Sequence, residues 1–121
     1  TGTVQTGIYG DKAKAMGLPM FVPDDVHQER VMAAIYGPQG AKAGYTNGIC
    51  REDLISAAEY LVKAHGCNCL ILGCTELPLI LDESDDFKVA GSRVIVVDPT
   101  AALARKVVKT AEDAYAATGI R

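Results

Sequence analysis

The stretch of sequence that decides the fold is residues 49–76, ICREDLISAAEYLVKAHGCNCLILGCTE. Its first part places apolar side chains at helical intervals, which predicts a helix over Ile49–His65 that ends at Gly66. A continuous apolar run at residues 69–72 then predicts a strand buried on both faces. Residues 73–78 follow as a turn that leads into a short helix. This succession of elements is typical of an α/β protein.

The sequence on either side of this stretch continues the alternation of helices and strands. The expected N-terminal elements are a helix over residues 3–16 that stops at Gly17, a strand over residues 18–22, a helix from Asp24 or Asp25 to Tyr36, and a glycine-rich loop over residues 37–44. The expected C-terminal elements are polar surface at residues 82–88, a buried strand at residues 93–97, and a helix from Pro99 to Gly119. The predicted fold class is α/β, with a largely parallel sheet flanked by helices.

Composition and charge restrict the functions that fit this chain. The 121 residues carry a net charge of -3, and 49% are hydrophobic and 22% charged, as in a single globular domain. Nucleic-acid binding normally needs a basic patch, so nothing here points to it. No apolar run is long enough to span a bilayer, and the first residues do not form a basic and apolar signal segment. We therefore expect a cytoplasmic protein with no membrane partner.

The cysteines are expected to be free thiols, because nothing in the sequence indicates secretion. They include no C-x-x-C pair, and the histidines do not complete a zinc-binding spacing, so no metal site is predicted. We expect Cys50 and Cys69 to be core residues. The four cysteines are Cys50, Cys67, Cys69 and Cys74, and the two histidines are His27 and His65.

Cys74 is the best candidate for a chemical role. It follows a buried strand and a glycine, and it precedes Thr75 and Glu76 at the predicted start of a helix. A helix dipole there lowers the pKa of a thiol, and free backbone N–H groups bind an anion such as a carboxylate. These residues leave open the alternative that Cys74 is an ordinary buried cysteine.

Two further groups could bind an anion. Thr1, Thr3 and Thr6 lie at a predicted helix start, where they either cap the helix or form a second anion-binding turn. Lys42 lies in the glycine-rich loop, where it is either a solvated charge or the partner of an anionic substrate.

Four short motifs follow one another along the chain. They are TGTVQTGIY at residues 1–9, IY at 35–36 with KAG at 42–44, GCTE at 73–76, and VDP at 97–99. In this order they resemble the aspartate/glutamate racemase superfamily, in which GCTE is the second catalytic motif. Glutamate racemases usually have a histidine where this chain has Glu76, so the chain looks like the aspartate or broad-specificity amino-acid branch.

The resemblance implies a cofactor-independent amino-acid racemase that acts on aspartate or a similar acidic amino acid. In such enzymes one cysteine thiolate removes the α-proton and a second cysteine thiol returns a proton on the opposite face of the α-carbon, without pyridoxal phosphate or a metal. By this resemblance Cys74 is one acid/base, and the residues expected to bind substrate are Thr75, Glu76, Lys42, Thr3 and Thr1.

The resemblance also implies that the chain is the C-terminal portion of a longer protein. The family's first cysteine, in a C-N-T motif, belongs to an N-terminal half that is absent here. Residues 1–92 would form one of two pseudo-symmetric flavodoxin-like halves, without its first strand. Residues 93–121 would be the strand and helix that the family returns to its N-terminal domain. We expect the chain to be inactive alone and to associate with that missing half or, as a homodimer, with a second copy.

Three other functions remain open at this point. A related enzyme of the same fold, such as a maleate isomerase or a malonate decarboxylase, has a similar cysteine turn, although the Lys42 loop and Glu76 favour a racemase. A non-catalytic domain that binds small dicarboxylates would have an exposed but unreactive Cys74. A purely structural α/β module is the third, and the ordered motifs argue against it.

Overall fold

The structure is a computed structural model that describes residues 2–119 of the 121. Its helices are α1 (Gly2–Gln5), α2 (Ile8–Ala15), α3 (Asp25–Tyr36), α4 (Ile49–His65) and α5 (Pro99–Thr118), and its strands are β1 (Cys69–Ile71), β2 (Ser84–Val89) and β3 (Ser92–Val97). Two short 3₁₀ helices cover Ala41–Ala43 and Leu77–Leu79. None of the helices in this described part is long and apolar enough to cross a membrane.

The sheet has three strands in the order β1-β3-β2, and it is mixed. Strands β1 and β3 are parallel, with Leu70 opposite Val96, as expected for the α/β class. Strand β2 runs antiparallel to β3 and was not predicted, because its charged residues interrupt the alternation of apolar and polar side chains that indicates a strand. A tight turn joins the two, and both Ala90 (φ 51°) and Gly91 (φ 73°) take the left-handed conformation that a type I′ hairpin turn needs. The fold is therefore α/β, with one parallel and one antiparallel strand pair flanked by helices.

Helix α4 provides much of the core and has the bounds predicted from its apolar spacing. It begins after Gly48 and ends at Gly66, whose φ of 65° is the left-handed conformation common at helix ends. Its buried face packs against α3 and the sheet. The core residues they share include Ala34, Ile35, Cys50, Leu54, Ala58, Leu70, Val94 and Val96, so the prediction that Cys50 fills the core is confirmed.

The sheet is buried on one face, and the prediction that its strands are buried on both was wrong. Leu70 and Val96 are buried, whereas Ile71 and Ile95 are 41% and 46% exposed. Cys69 is also exposed, which overturns its expected place in the core. Helices α3 and α4 cover the face that carries Leu70. Because side chains alternate along a strand, the exposed residues of β1 and β3 lie on the opposite face, which these helices do not cover.

The N-terminal segment differs from the prediction in two respects. The helix expected over residues 3–16 is divided into α1 and α2 at Gly7, which has a φ of 66°. The strand expected over residues 18–22 does not form. Pro19 and Pro23 lack the N–H groups that a sheet ladder needs, and no described strand lies alongside to pair with it. Instead the ring of Phe21 stacks on His65 with 4.4 Å between centroids.

Helix α5 begins and ends where predicted but does not join the core. The Asp98 side chain accepts a hydrogen bond from the N–H of Thr100, and Gly119 ends the helix in the left-handed conformation. None of the twenty described residues of α5 is buried. A two-pronged ion pair of 2.9 and 3.1 Å joins Arg105 of α5 to Glu83, the residue before β2. The boundary expected at residue 92 stays a prediction, and in this chain β3 is the central strand.

Candidate active site

The turn that holds Cys74 lies at the carboxyl end of the parallel strand pair. The N–H of Leu72 donates to the carbonyl of Val97 at 3.0 Å, which continues the β1–β3 ladder up to the turn. Cys74 follows two residues later and packs against the core without being enclosed by it. Ligands collect at this edge of an open α/β sheet. The fold therefore presents a half-buried thiol at the place where small molecules usually bind.

The Cys74 thiol is held in its protonated form, contrary to the expected helix-dipole effect. Burial raises the pKa of Cys74, and the adjacent Glu76 carboxylate raises it further. Hydrogen bonds from the backbone N–H groups of Leu77 and Glu76 oppose this and lower the pKa in part. The predicted α-helix start is in fact a bend followed by the three-residue 3₁₀ helix Leu77–Leu79. So short a helix has little dipole to offset burial.

A pH profile of thiol alkylation tests whether the pKa of Cys74 is raised. Iodoacetamide reacts with the thiolate, so the raised pKa of Cys74 should shift the midpoint of its alkylation profile to higher pH. The reference is the same cysteine in the urea-unfolded chain, followed through its own tryptic peptide by mass spectrometry. A native midpoint at or below the unfolded one would contradict the protonated thiol described above.

Three of the side chains expected at the site form one polar group beside Cys74. The Lys42 ammonium lies 3.1 Å from Oε1 of Glu76, and the Thr75 hydroxyl donates to Oε2 of Glu76 at 3.1 Å. Hydrogen bonding to Glu76 raises the pKa of Lys42, and the bonds from Lys42 and Thr75 lower the pKa of Glu76. The Lys42 nitrogen also lies 5.4 Å from the centre of the Tyr36 ring, a cation–π distance that sequence reasoning did not anticipate.

Glycines position the Lys42 loop against the end of α3. The Gly37 N–H donates to the carbonyl of Ala33, and the Gly40 N–H donates to the carbonyl of Gly37 at 2.9 Å. Gly40 is buried, and a Cβ added there would lie 2.7 to 2.9 Å from the carbonyl oxygens of residues 33–35. Only a residue without a side chain fits so close to these backbone atoms. The close packing of Gly40 against the end of α3 positions the loop so that Lys42 lies beside Glu76.

We expect Gly40→Ala to lower the free energy of unfolding by about 1–3 kcal/mol, the usual range for overpacking. The methyl group would meet backbone oxygens, which cannot move aside as a flexible side chain can. Chemical denaturation measures the loss, and Gly10→Ala is the control because no atom lies within 4 Å of its added Cβ. If the Gly40 and Gly10 variants were equally stable, the close packing of the loop would be wrong.

The N-terminal segment reaches back to the cysteine turn. The Thr3 hydroxyl donates to the carbonyl of Gly73 at 2.8 Å, and the Tyr9 ring lies near the same glycine. Thr3 therefore lies beside the cysteine turn, whereas Thr6 bonds to Gly2 within its own segment. Tyr9 was not singled out as a site residue, although it belongs to the TGTVQTGIY motif. Thr1, also expected to bind substrate, lies outside the described residues.

The other three cysteines differ from Cys74 in burial or in position. Cys50 is buried in α4, and Cys67 and Cys69 lie at the opposite end of β1 from Cys74. Burial raises the pKa of Cys67, and its neighbour Cys69 adds to the effect. Within residues 2–119, no three His, Cys, Asp or Glu side chains are grouped so that they could hold a metal ion.

The similarity to known proteins covers most of the chain. Residues 1–107 match the family described as Asp/Glu/Hydantoin racemase. A protein of Pectobacterium carotovorum subsp. carotovorum, described as "Uncharacterized protein in pnlA 3'region", is 36% identical over 109 residues, which are 90% of this chain and 67% of that protein. The family match supports racemase- or isomerase-type chemistry without specifying the substrate. The chain belongs to the Asp/Glu/hydantoin racemase family.

Proposed function

We propose that this chain is part of an amino-acid racemase in which Cys74 is one of the two acid/base groups that exchange the α-proton of the substrate. The observation that carries the proposal is the position of Cys74, half-buried at the carboxyl end of a parallel strand pair and beside Lys42, Thr75 and Glu76. Racemisation needs an acid/base within reach of the α-carbon, in a site that excludes most water. The raised pKa of Cys74 suits a group that enters the reaction as the thiol, the acid partner.

The substrate in this proposal is an acidic amino acid, such as aspartate. Lys42 supplies the positive charge for its side-chain carboxylate, and Thr75 and Thr3 supply hydroxyl groups at the cysteine turn. Backbone N–H groups after Cys74 would stabilise the negative charge that develops on the α-carboxylate. The reaction is proposed to use no cofactor, since two cysteines can perform both proton transfers.

The second cysteine is proposed to come from outside this chain. Cys50 is enclosed in the core at 1% exposure, and Cys67 and Cys69 lie at the other end of β1, whereas an enzyme that inverts a carbon needs an acid/base on each face. We propose an N-terminal half of the same protein as the source, and a homodimer as a further level of assembly. The exposed apolar residues of α5, among them Leu103 and Val107, are consistent with a helix that docks on another domain. The free thiols suit a cytoplasmic location.

The test is a panel of substrates in heavy water. The longest gene product that contains this chain is incubated with aspartate, glutamate, alanine and, as the probe for the related isomerase activity, maleate. We expect deuterium at the α-carbon and loss of optical purity for an acidic amino acid, with no conversion of maleate to fumarate. Conversion of maleate without racemisation would assign the isomerase activity instead.

A further inference from the structure

Glu76 occupies the groups that the proposed function assigns to the substrate. Its Oε1 lies 3.1 Å from the Lys42 ammonium, and its Oε2 accepts a hydrogen bond of 3.1 Å from the Thr75 hydroxyl. Both oxygens of one carboxylate are thus held by one cation and one hydroxyl. A substrate carboxylate at the same two groups would need the single O–H of Thr75, which it could not take while Glu76 holds it, and it would have to share the charge of the Lys42 ammonium.

The charge of this arrangement is balanced before a substrate binds. Lys42 and Glu76 together carry no net charge, so the pair attracts a second carboxylate much less than a free lysine would. If Glu76 stayed in place, its carboxylate would repel an acidic side chain at contact distance. The Glu76 side chain is 23% exposed and the Lys42 side chain 48% exposed, so Glu76 is the more enclosed partner.

An ion pair that bridges one turn on the surface of a helix has different surroundings. Lys63 and Glu59 form such a pair on α4, 3.4 Å apart with both side chains 43% exposed or more. The Lys42–Glu76 pair instead joins two separate parts of the chain, the glycine-rich loop and the cysteine turn. Glu76 also lies close enough to Cys74 to contribute to its raised pKa.

We propose that Glu76 is a specificity-determining residue that competes with the substrate, so that an acidic side chain reaches Lys42 and Thr75 only by displacing the Glu76 carboxylate. This inference rests on the proposed function, because it takes Lys42 as the carboxylate-binding group. Glu76 then lowers the affinity for acidic substrates, and a substrate with a neutral side chain leaves the ion pair intact. The residue expected to bind substrate acts here as its intramolecular competitor.

Succinate is the probe, because it has two carboxylates and no amino group that could itself bind Glu76. Its dissociation constant is measured by NMR titration for the wild type and for Glu76→Gln, which removes the charge and keeps the shape. We expect Glu76→Gln to bind succinate about threefold more tightly or better, the scale of a partly exposed ion pair. Glu59→Gln, which removes the same charge from the α4 pair, should leave the affinity unchanged.

A second variant identifies the group that is released. Adding Lys42→Met to Glu76→Gln should remove the gain, because the freed ammonium is then absent. Unchanged or weaker binding by Glu76→Gln, an equal gain in Glu59→Gln, or a gain that survives Lys42→Met would each overturn the inference. None of these results bears on racemisation, which the heavy-water assay tests separately. If succinate bound neither protein, Lys42 would not be a carboxylate site and the inference would also fail.

Discussion

Replacement of Cys74 by alanine is expected to reduce α-proton exchange by about 10²–10⁴-fold, the usual contribution of a positioned acid or base. The alanine variant keeps the turn and the Lys42–Glu76 pair but has no group that can carry the proton. The measurement is deuterium incorporation at the α-carbon of the amino-acid substrate, in the longest gene product that contains the chain. Burial of Cys74 is only partial, so the variant should fold, and circular dichroism checks that it does.

Cys69→Ala is the matched control for this experiment. Cys69 is an exposed thiol at the other end of β1, so its loss should leave the exchange rate unchanged. Equal losses in the Cys74 and Cys69 variants would point to a general effect of cysteine removal. Full activity in Cys74→Ala would remove Cys74 from the chemistry.

Leu54→Ala is expected to lower the free energy of unfolding by about 2–5 kcal/mol, the range measured for a leucine truncated in a core. Leu54 is 6% exposed and lies on the face of α4 that packs against α3 and the sheet. Truncation leaves a cavity that rigid neighbours fill only in part. Urea denaturation, followed by the helical signal in circular dichroism, measures the change.

Leu79→Ala is the control for the core. Leu79 lies in the 3₁₀ helix after the cysteine turn and is 59% exposed, so its truncation should change stability by no more than about 0.5 kcal/mol. Similar losses for the two leucines would mean that α4 does not form the core as described.

Elements with a strong local pattern could be predicted from the sequence. Helix α4 has apolar residues at helical intervals over 17 residues and a glycine at its end, and its bounds agree with the prediction. Helix α5 could also be predicted, because Pro99 suits its first turn and Gly119 ends it. In both cases the signals lie within the element itself.

Features that depend on distant neighbours could not be predicted in this way. Residues 18–22 have the composition of a strand, but a strand forms only where another strand offers its backbone. Strand β2 is the opposite case, because its pairing with β3 outweighs its charged sequence. Whether a strand is covered on one face or two depends on which helices pack there, and this decided the exposure of Cys69.

In the candidate site, too, some features could be predicted from the sequence and others depend on distant neighbours. The motifs identified Cys74, Thr75, Lys42 and Thr3 as candidates, and these residues lie around the turn of residues 73–76. The direction of the Cys74 pKa was not predictable, since it depends on the balance between burial and backbone N–H groups. The pairing of Glu76 with Lys42 joins residues 34 positions apart, which no local pattern encodes.

The most direct test of the central claim combines an intact mass with a racemisation assay on the same purified sample. We predict that racemisation of an acidic amino acid accompanies a product that contains more than these 121 residues and supplies the second cysteine. The chain of 121 residues on its own should be inactive. Racemisation by that chain alone would contradict the account, because Cys74 would then be acting without a cysteine on the opposite face.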